Sequence, residues 1–303
     1  VSAFLSTLGG RLAERWMALL AVPGLIYLAA LAAAGTLGQR HWNDTGRLRA
    51  RLDALAAAPG AHSPGALAVA ALAVLAAAAA VGAAVQAGGT WCEKAWLTDA
   101  RGPVTRRLTA RRLRRWQDAD RAYRTALVAA GRATIAGAGD AGPLTESAER
   151  HHAARARIAL AAPRHPFWAG DRITAPEHRV WHAYRLDLTA AWPHLWLLAP
   201  EGTRAELDAA RTAFAAAARL HAWAAAYLLL GVCWWPAAVI GLLAAATAAG
   251  RGRAAASAFA DLAEAVTDLH GKDLALALGI PCDGGLSREV GAEMTRVLGK
   301  DGA

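Results

Sequence analysis

Three long stretches of this chain lack charge altogether: residues 16–38, 63–92 and 221–250 contain no Asp, Glu, Lys or Arg. That excludes an ordinary water-facing surface for them. Each is long enough to cross a hydrocarbon core about 30 Å thick, which takes about 20 helical residues. Cysteine is also scarce. Cys92, Cys233 and Cys282 are odd in number and widely separated, which excludes a disulfide framework and the paired spacing of a zinc site. Lysine occurs three times against 30 arginines, as GC-rich codons would give. No Gly-rich loop leads into Lys and Ser or Thr, and no Gly-Xaa-Ser-Xaa-Gly elbow is present. Both motif-defined routes to phosphate binding and acyl transfer are therefore missing. No run alternates with strand period between turn signals, so the expected fold class is all-α, with multi-pass transmembrane helices.

What the chain does contain is a charge asymmetry. The net charge is +9, yet residues 91–219 hold 21 Lys and Arg against 13 Asp and Glu, whereas the tail from Arg251 holds six against eight. Arg101, Arg106, Arg107, Arg111, Arg112, Arg114 and Arg115 fall within fifteen residues without one acid, just beyond the second apolar stretch. Positive charge marks the cytoplasmic end of a span. Residues 93–212 are therefore expected to form a basic helical cytoplasmic region. The N-terminus, with Arg11 and Arg15, would lie on the same side, and residues 1–92 would be a transmembrane helix pair with an outer loop at 39–63. Arg40, Arg47, Arg49 and Arg51 give that loop positive charge of its own, but the inner cluster is denser. The first apolar run exceeds the usual signal-peptide core of about 7 to 15 residues and reads as a retained anchor.

Residues 213–255 allow two readings. As one helix, the uncharged run 220–250 would reach about 45 Å at 1.5 Å per residue, longer than a bilayer unless tilted or kinked. The alternative is an apolar hairpin that turns at Trp234 and Trp235, with Pro236 in the first turn of the returning helix, where its missing N–H does no harm. The hairpin, which is favoured, gives four crossings and a cytoplasmic helical tail over 256–303. The kinked span gives three crossings and an external tail. Either way the expected location is a bacterial cytoplasmic membrane.

Start and stop signals place the remaining helices. Pro103 predicts a basic helix to about Gly131, and Pro143 a second one to about Ala162. Thr174 to Glu177, with Pro176, and Thr203 to Glu206 read as capping boxes. In the tail, Phe259, Leu262, Val266 and Leu269 share a helix face that ends at a Gly279 C-cap, and its acids could complement the basic central region.

Three sets of residues are candidates for function. Arg106, Arg107, Arg111, Arg112, Arg114 and Arg115 read first as a topological signal and solvated face, then as a contact for anionic lipid headgroups or a protein partner. Trp116 and Tyr123 alone do not make a stacking platform, which speaks against nucleic acid as a partner. Trp168, Gly170, Asp171 and Arg172, just after His165, form a structural turn or a binding motif. His178 and His182, four apart, share a helix face and are weak candidates for metal ligands. No other residue suggests a metal or cofactor, and none is expected. The Ala-rich second stretch lets helices approach closely, either within one chain or in a homo-oligomer.

Short marks along most of the chain carry a resemblance: Pro23 with Gly24, Leu37 with Gly38, then His41 and Asp44, and Trp168 with Gly170, Asp171 and Arg172. Further marks are Trp192 and Pro193 before Leu195, Trp196 and Leu197, then Trp234, Trp235 and Pro236, and finally Asp268, Leu269 and His270 followed by Leu278, Gly279 and Ile280. With these the chain resembles uncharacterised multi-pass membrane proteins of high-GC actinobacteria. That resemblance implies a membrane architecture and no catalytic residue. The expected function is a non-enzymatic membrane platform whose cytoplasmic helical region binds a protein partner or anionic lipid headgroups. An oligomeric pore-forming effector is the first alternative, and a metal-dependent hydrolase using His178 and His182 the second.

Overall fold

Apolar periodicity, prolines at helix starts and glycines at helix ends produce an all-helical chain. A computed structural model describes residues 21–57, 63–99, 101–137 and 141–299, and among these residues there are ten α-helices and no strand. They are α1 (Val22–Leu37), α2 (Thr45–Ala56), α3 (Pro64–Leu97), α4 (Pro103–Ile135), α5 (Ala141–Ile158), α6 (Trp168–Tyr184), α7 (Leu188–Leu198), α8 (Glu201–Leu230), α9 (Trp235–Ala277) and α10 (Arg288–Gly299). The chain divides into two units: Val1–Glu93 with Ala215–Arg251, and Lys94–Phe214 with Gly252–Ala303. The central region and most of the tail thus belong together. Arg11 and Arg15, and the start of the first apolar stretch, lie outside the described residues.

In the first unit apolar side chains face outward. α3 and α8 are long and apolar enough to cross a membrane, with mean hydropathies of 2.4 and 1.4, yet only 17% and 28% of their most apolar windows are buried. A soluble core helix would bury that face. Here Leu67, Val69, Leu72, Val74 and Leu75 of α3 stand exposed, while its buried positions are Ala78, Gly82, Val85 and Gly89, spaced three or four apart. α1 is apolar but shorter. The segment expected as an outer loop contains α2, whose N-cap Asp44 accepts a hydrogen bond from the Arg47 amide at 3.1 Å and which buries no residue. The Asx cap satisfies one of the open amides at the helix start.

α8 and α9 reverse direction at residues 231–234. A side chain at Gly231 would meet Ala238, and one at Gly241 would meet Leu228 and the Ala224 carbonyl. Partner numbers fall on one helix as they rise on the other, so the two run antiparallel. Pro236 lies in the first turn of α9. The reversal leaves backbone groups open at both helix ends, and Gln39 fills three of them. Its Nε2 donates to the Gly231 and Val232 carbonyls at 3.0 and 2.7 Å, and its Oε1 accepts from the Trp235 amide at 3.0 Å. Trp234 donates its indole N–H to the Trp42 carbonyl at 3.2 Å, and the Trp42 and Trp235 rings meet edge to face.

The second unit has its core among α6, α7, the first part of α8, α9 and α10, around Val180, Leu186, Leu195, Leu207, Val266 and Met294. α9 ends in a Gly279 left-handed turn, with the Ile280 amide donating to the Ala275 carbonyl. Two expected boundaries fail, and in one of them α8 starts at Glu201, which leaves Thr203 within its first turn and not at its N-cap. α6 starts at Trp168, not Thr174, and Pro176 lies inside it. Thr174 donates its hydroxyl to the Gly170 carbonyl one turn back, so the apparent capping box is a mid-helix pattern. Helix charges pair across α6 and α9: Arg172 with Asp261, Arg179 with Glu264, and the Tyr184 hydroxyl with Asp268.

The hairpin yields a test with an internal control. A Cβ at Gly241 would lie 2.8 Å from the Leu228 amide nitrogen, whereas one at Gly250 meets nothing within 4 Å. Gly241→Ala should therefore destabilise by about 1–3 kcal/mol through overpacking, and Gly250→Ala should stabilise by up to about 1 kcal/mol through helix propensity. Thermal unfolding followed by circular dichroism in detergent checks both signs.

Candidate functional site

The six candidate arginines in the first half of α4 divide by face. At 100° per residue, Arg106, Arg114, Arg107, Arg111 and Arg115 cover an arc of about 180°, and all five are exposed. Arg112 falls outside that arc with Trp116 and Asp120, on the side packed against α5 and the loop after it. Its Nη1 donates to the His165 carbonyl at 2.9 Å and to Asp171, and its Nη2 to the Ile158 carbonyl at 2.6 Å. The Trp116 indole donates to the Ala159 carbonyl. One turn on, buried Asp120 accepts from Arg124 and from Arg155 of α5, whose guanidinium also lies 4.7 Å from the Tyr123 ring centroid. The hydrogen bond from Arg155 is the largest influence holding the Asp120 carboxyl below its usual range.

Trp168, Gly170, Asp171 and Arg172 stand together at the start of α6, and each has a structural task. Asp171 Oδ1 accepts from the Arg164 and His165 amides, both at 2.8 Å, and contacts His165 Nδ1 at 3.1 Å, while Oδ2 takes the Arg112 guanidinium. Gly170 is required by close approach, because a Cβ there would lie 2.8 Å from that of His165 and 3.0 Å from the Trp96 carbonyl. Trp168 carries the Arg253 guanidinium 5.6 Å from its ring centroid. Arg172 is buried. Its Nη2 donates to Asp261 and its Nε to Ser257, but its Nη1 has no acceptor among the described residues.

His165 is also buried, between two carboxylates, with Nδ1 at Asp171 and Nε2 3.3 Å from Asp99. The Asp171 hydrogen bond is the main reason its pKa lies above the usual value, against a desolvation that pulls it down. Burial alone would push the Asp171 carboxyl up. The hydrogen bonds from His165 and the two backbone amides outweigh it, and the net direction is down.

A cavity of about 760 Å³ opens beside this motif, between residues 159–164 and one face of α6. Leu160, Trp168 and several alanines form apolar walls, and Arg164, Arg172, His178, Arg179 and His182 supply polar ones. His178 and His182 do face the same space. However, Arg164 Nη1 lies 3.1 Å from His178 Nε2, so a guanidinium holds the lone pair that a metal would need. Among the described residues no three His, Cys, Asp or Glu side chains gather as a metal-binding group.

Sequence reading missed Arg164, Arg179, Asp120 and Arg155, because none lies in a motif and their partners are distant in the chain. No protein-family profile, curated protein or solved structure matches this sequence.

Two predictions separate structural from exposed groups. Arg112→Gln should cost about 3 kcal/mol, since it strands a partly buried carboxylate, whereas Arg111→Gln should change stability by less than about 0.5 kcal/mol; denaturant melts compare them. For pH, His165 contributes in full below its unfolded pKa of about 6.5, and the contribution fades as pH rises through the higher folded value. Asp171 acts in the opposite sense, losing its contribution as pH falls below the usual carboxylate range. Melting temperature should therefore decline on the alkaline side of about pH 6.5, and His165→Gln should flatten that decline.

Proposed function

We propose that this protein is an integral membrane protein with four crossings that serves as a non-enzymatic platform, its α4 arginine face engaging anionic lipid headgroups at the cytoplasmic surface. The observation that carries the reading is the division of the α4 arginines. Arg112 is absorbed into the fold, while Arg106, Arg107, Arg111, Arg114 and Arg115 are exposed and pair with no carboxylate among the described residues. A dense, unpaired basic face beginning a few residues after an apolar helix suits a negatively charged leaflet, where each Lys or Arg near the surface contributes about 1 kcal/mol.

The membrane part of the proposal rests on the outward apolar faces of α3 and α8 and on the antiparallel turn between α8 and α9. Trp42, Trp234 and Trp235 cluster at that turn, a placement that suits an interfacial aromatic belt. Arg219, within the apolar window of α8, would reach the headgroups by snorkelling. With the arginine cluster inside, the turn lies outside and residues 256–303 return to the cytoplasm.

Hydrogen exchange tests the headgroup contact. In nanodiscs containing phosphatidylglycerol, residues 103–115 should exchange more slowly than in phosphatidylcholine alone, and replacing the five exposed arginines by Gln should remove the difference. Equal exchange in both lipids would sink the lipid reading. Topology needs a separate reporter, because Cys282 is buried. Gly285 is exposed with open space around a new Cβ. Gly285→Cys, in a Cys92→Ser, Cys233→Ser background, should react with an impermeant maleimide only after cell lysis. Reaction in intact cells would mean an external tail and an odd number of crossings.

A further inference from the structure

We infer that the cavity beside α6 is a binding site for an anionic amphiphile, a molecule with one phosphate or carboxylate group and an apolar body. The inference is independent of the α4 face, since the cavity uses none of the exposed α4 arginines.

The cavity combines two features that few structural voids share. Its volume of about 760 Å³ falls in the range of small-molecule sites, about 300–1,000 Å³, and its walls at Leu160, Trp168 and Ala175 are apolar. A void of that kind with nothing polar would stay dry. Here, however, three guanidiniums reach its lining. Arg179 is paired with Glu264. Arg172 is held by Asp261 through one arm, and its other terminal nitrogen, in a side chain more than nine-tenths buried, lacks an acceptor. Arg164 has no carboxylate partner for its guanidinium among the described residues, and donates instead toward His178.

A buried donor without an acceptor is costly, and the cost is greater for a charged group. An oxyanion seated against Arg164 and Arg172 would supply the missing acceptor, and fork-shaped guanidiniums suit phosphate and carboxylate oxygens. One anionic charge is enough, because Asp261, Glu264 and Asp171 already offset much of the local positive charge. The apolar walls then select an apolar body over a bare ion. Two sources share this chemistry: a membrane phospholipid and a soluble phosphorylated or carboxylated metabolite.

Calorimetry on the full chain in nanodiscs, with hexyl phosphate, inorganic phosphate and hexanol as probes, tests the site. Hexyl phosphate should bind saturably at one site, with inorganic phosphate about tenfold weaker or more and hexanol not detected. Arg164→Gln changes an exposed side chain and should leave the melting temperature unchanged while weakening hexyl phosphate about tenfold. Ala175→Phe should project a ring into the cavity from its apolar wall and weaken hexyl phosphate at least about tenfold. No saturable binding, or binding indifferent to Arg164→Gln, would overturn the inference. Mass spectrometry of the purified protein distinguishes the sources. Phospholipid retained by the parent chain and lost from Ala175→Phe means a lipid, whereas hexyl phosphate binding with no retained lipid means a soluble ligand.

Discussion

The Asp171 carboxylate is the joint on which the second unit depends. It sits in the first turn of α6, where negative charge is favoured by the helix dipole, and gathers the amides of Arg164 and His165, the His165 ring and the Arg112 guanidinium. Those four donors come from α4 and from the loop that follows α5. One side chain thereby fixes the path of that loop, the rotation of α4 and the start of α6. The rotation matters beyond packing. Because Arg112 is turned inward, the other five arginines of the cluster are turned outward, and the same contact that orders the fold sets which charges meet solvent. The path of the loop places Arg164 beside α6, where the cavity forms.

The first unit answers a different constraint. Its helices turn large apolar side chains outward, and where they meet one another the contacts are made by close approach of small residues. Ala78, Gly82, Val85 and Gly89 on α3, and Gly231 and Gly241 at the hairpin, supply that approach. An open backbone group beside apolar side chains is expensive unless a partner takes its hydrogen bond. Gln39 meets that need at the hairpin turn with two donor contacts and one acceptor contact, which no apolar residue at that position could do.

Much of the architecture was legible because it rests on local rules. Uncharged runs, Pro103 at the start of α4, Pro236 at the start of α9 and Gly279 at its end each act through their neighbours in the chain. The capping-box reading at Thr174 failed for the same reason that it was attractive. Its pattern is local, but Asp171 and Gly170, anchored by partners far away in sequence, had already started the helix two turns earlier. α2 carries a short apolar stripe, Leu48, Leu52 and Leu55, behind the Asp44 cap, but its three arginines and its place between two uncharged runs favour the reading as a loop. The motif at 168–172 was visible as a group. Its roles were not, because Arg112, Arg253, Ser257 and Asp261 reach it from as far as 89 residues away.

The arginine excess illustrates the limit of composition as an argument. The chain holds 30 Arg against three Lys, but the count does not say where guanidiniums are useful. At Arg112 and Arg155 one side chain contacts several acceptors or rings at once, a task suited to a planar fork with five donors and poorly suited to an ammonium. On the outer face of α4 the geometry of the fork is irrelevant to folding, and lysine would serve a leaflet potential as well. Lysine at Arg112 should therefore fail to rescue stability, while lysines at Arg106, Arg107, Arg111, Arg114 and Arg115 should preserve the proposed headgroup contact. The two groups of arginines are alike in sequence and differ in what holds them, which makes the inward set a property of the fold and the outward set a property of the surface.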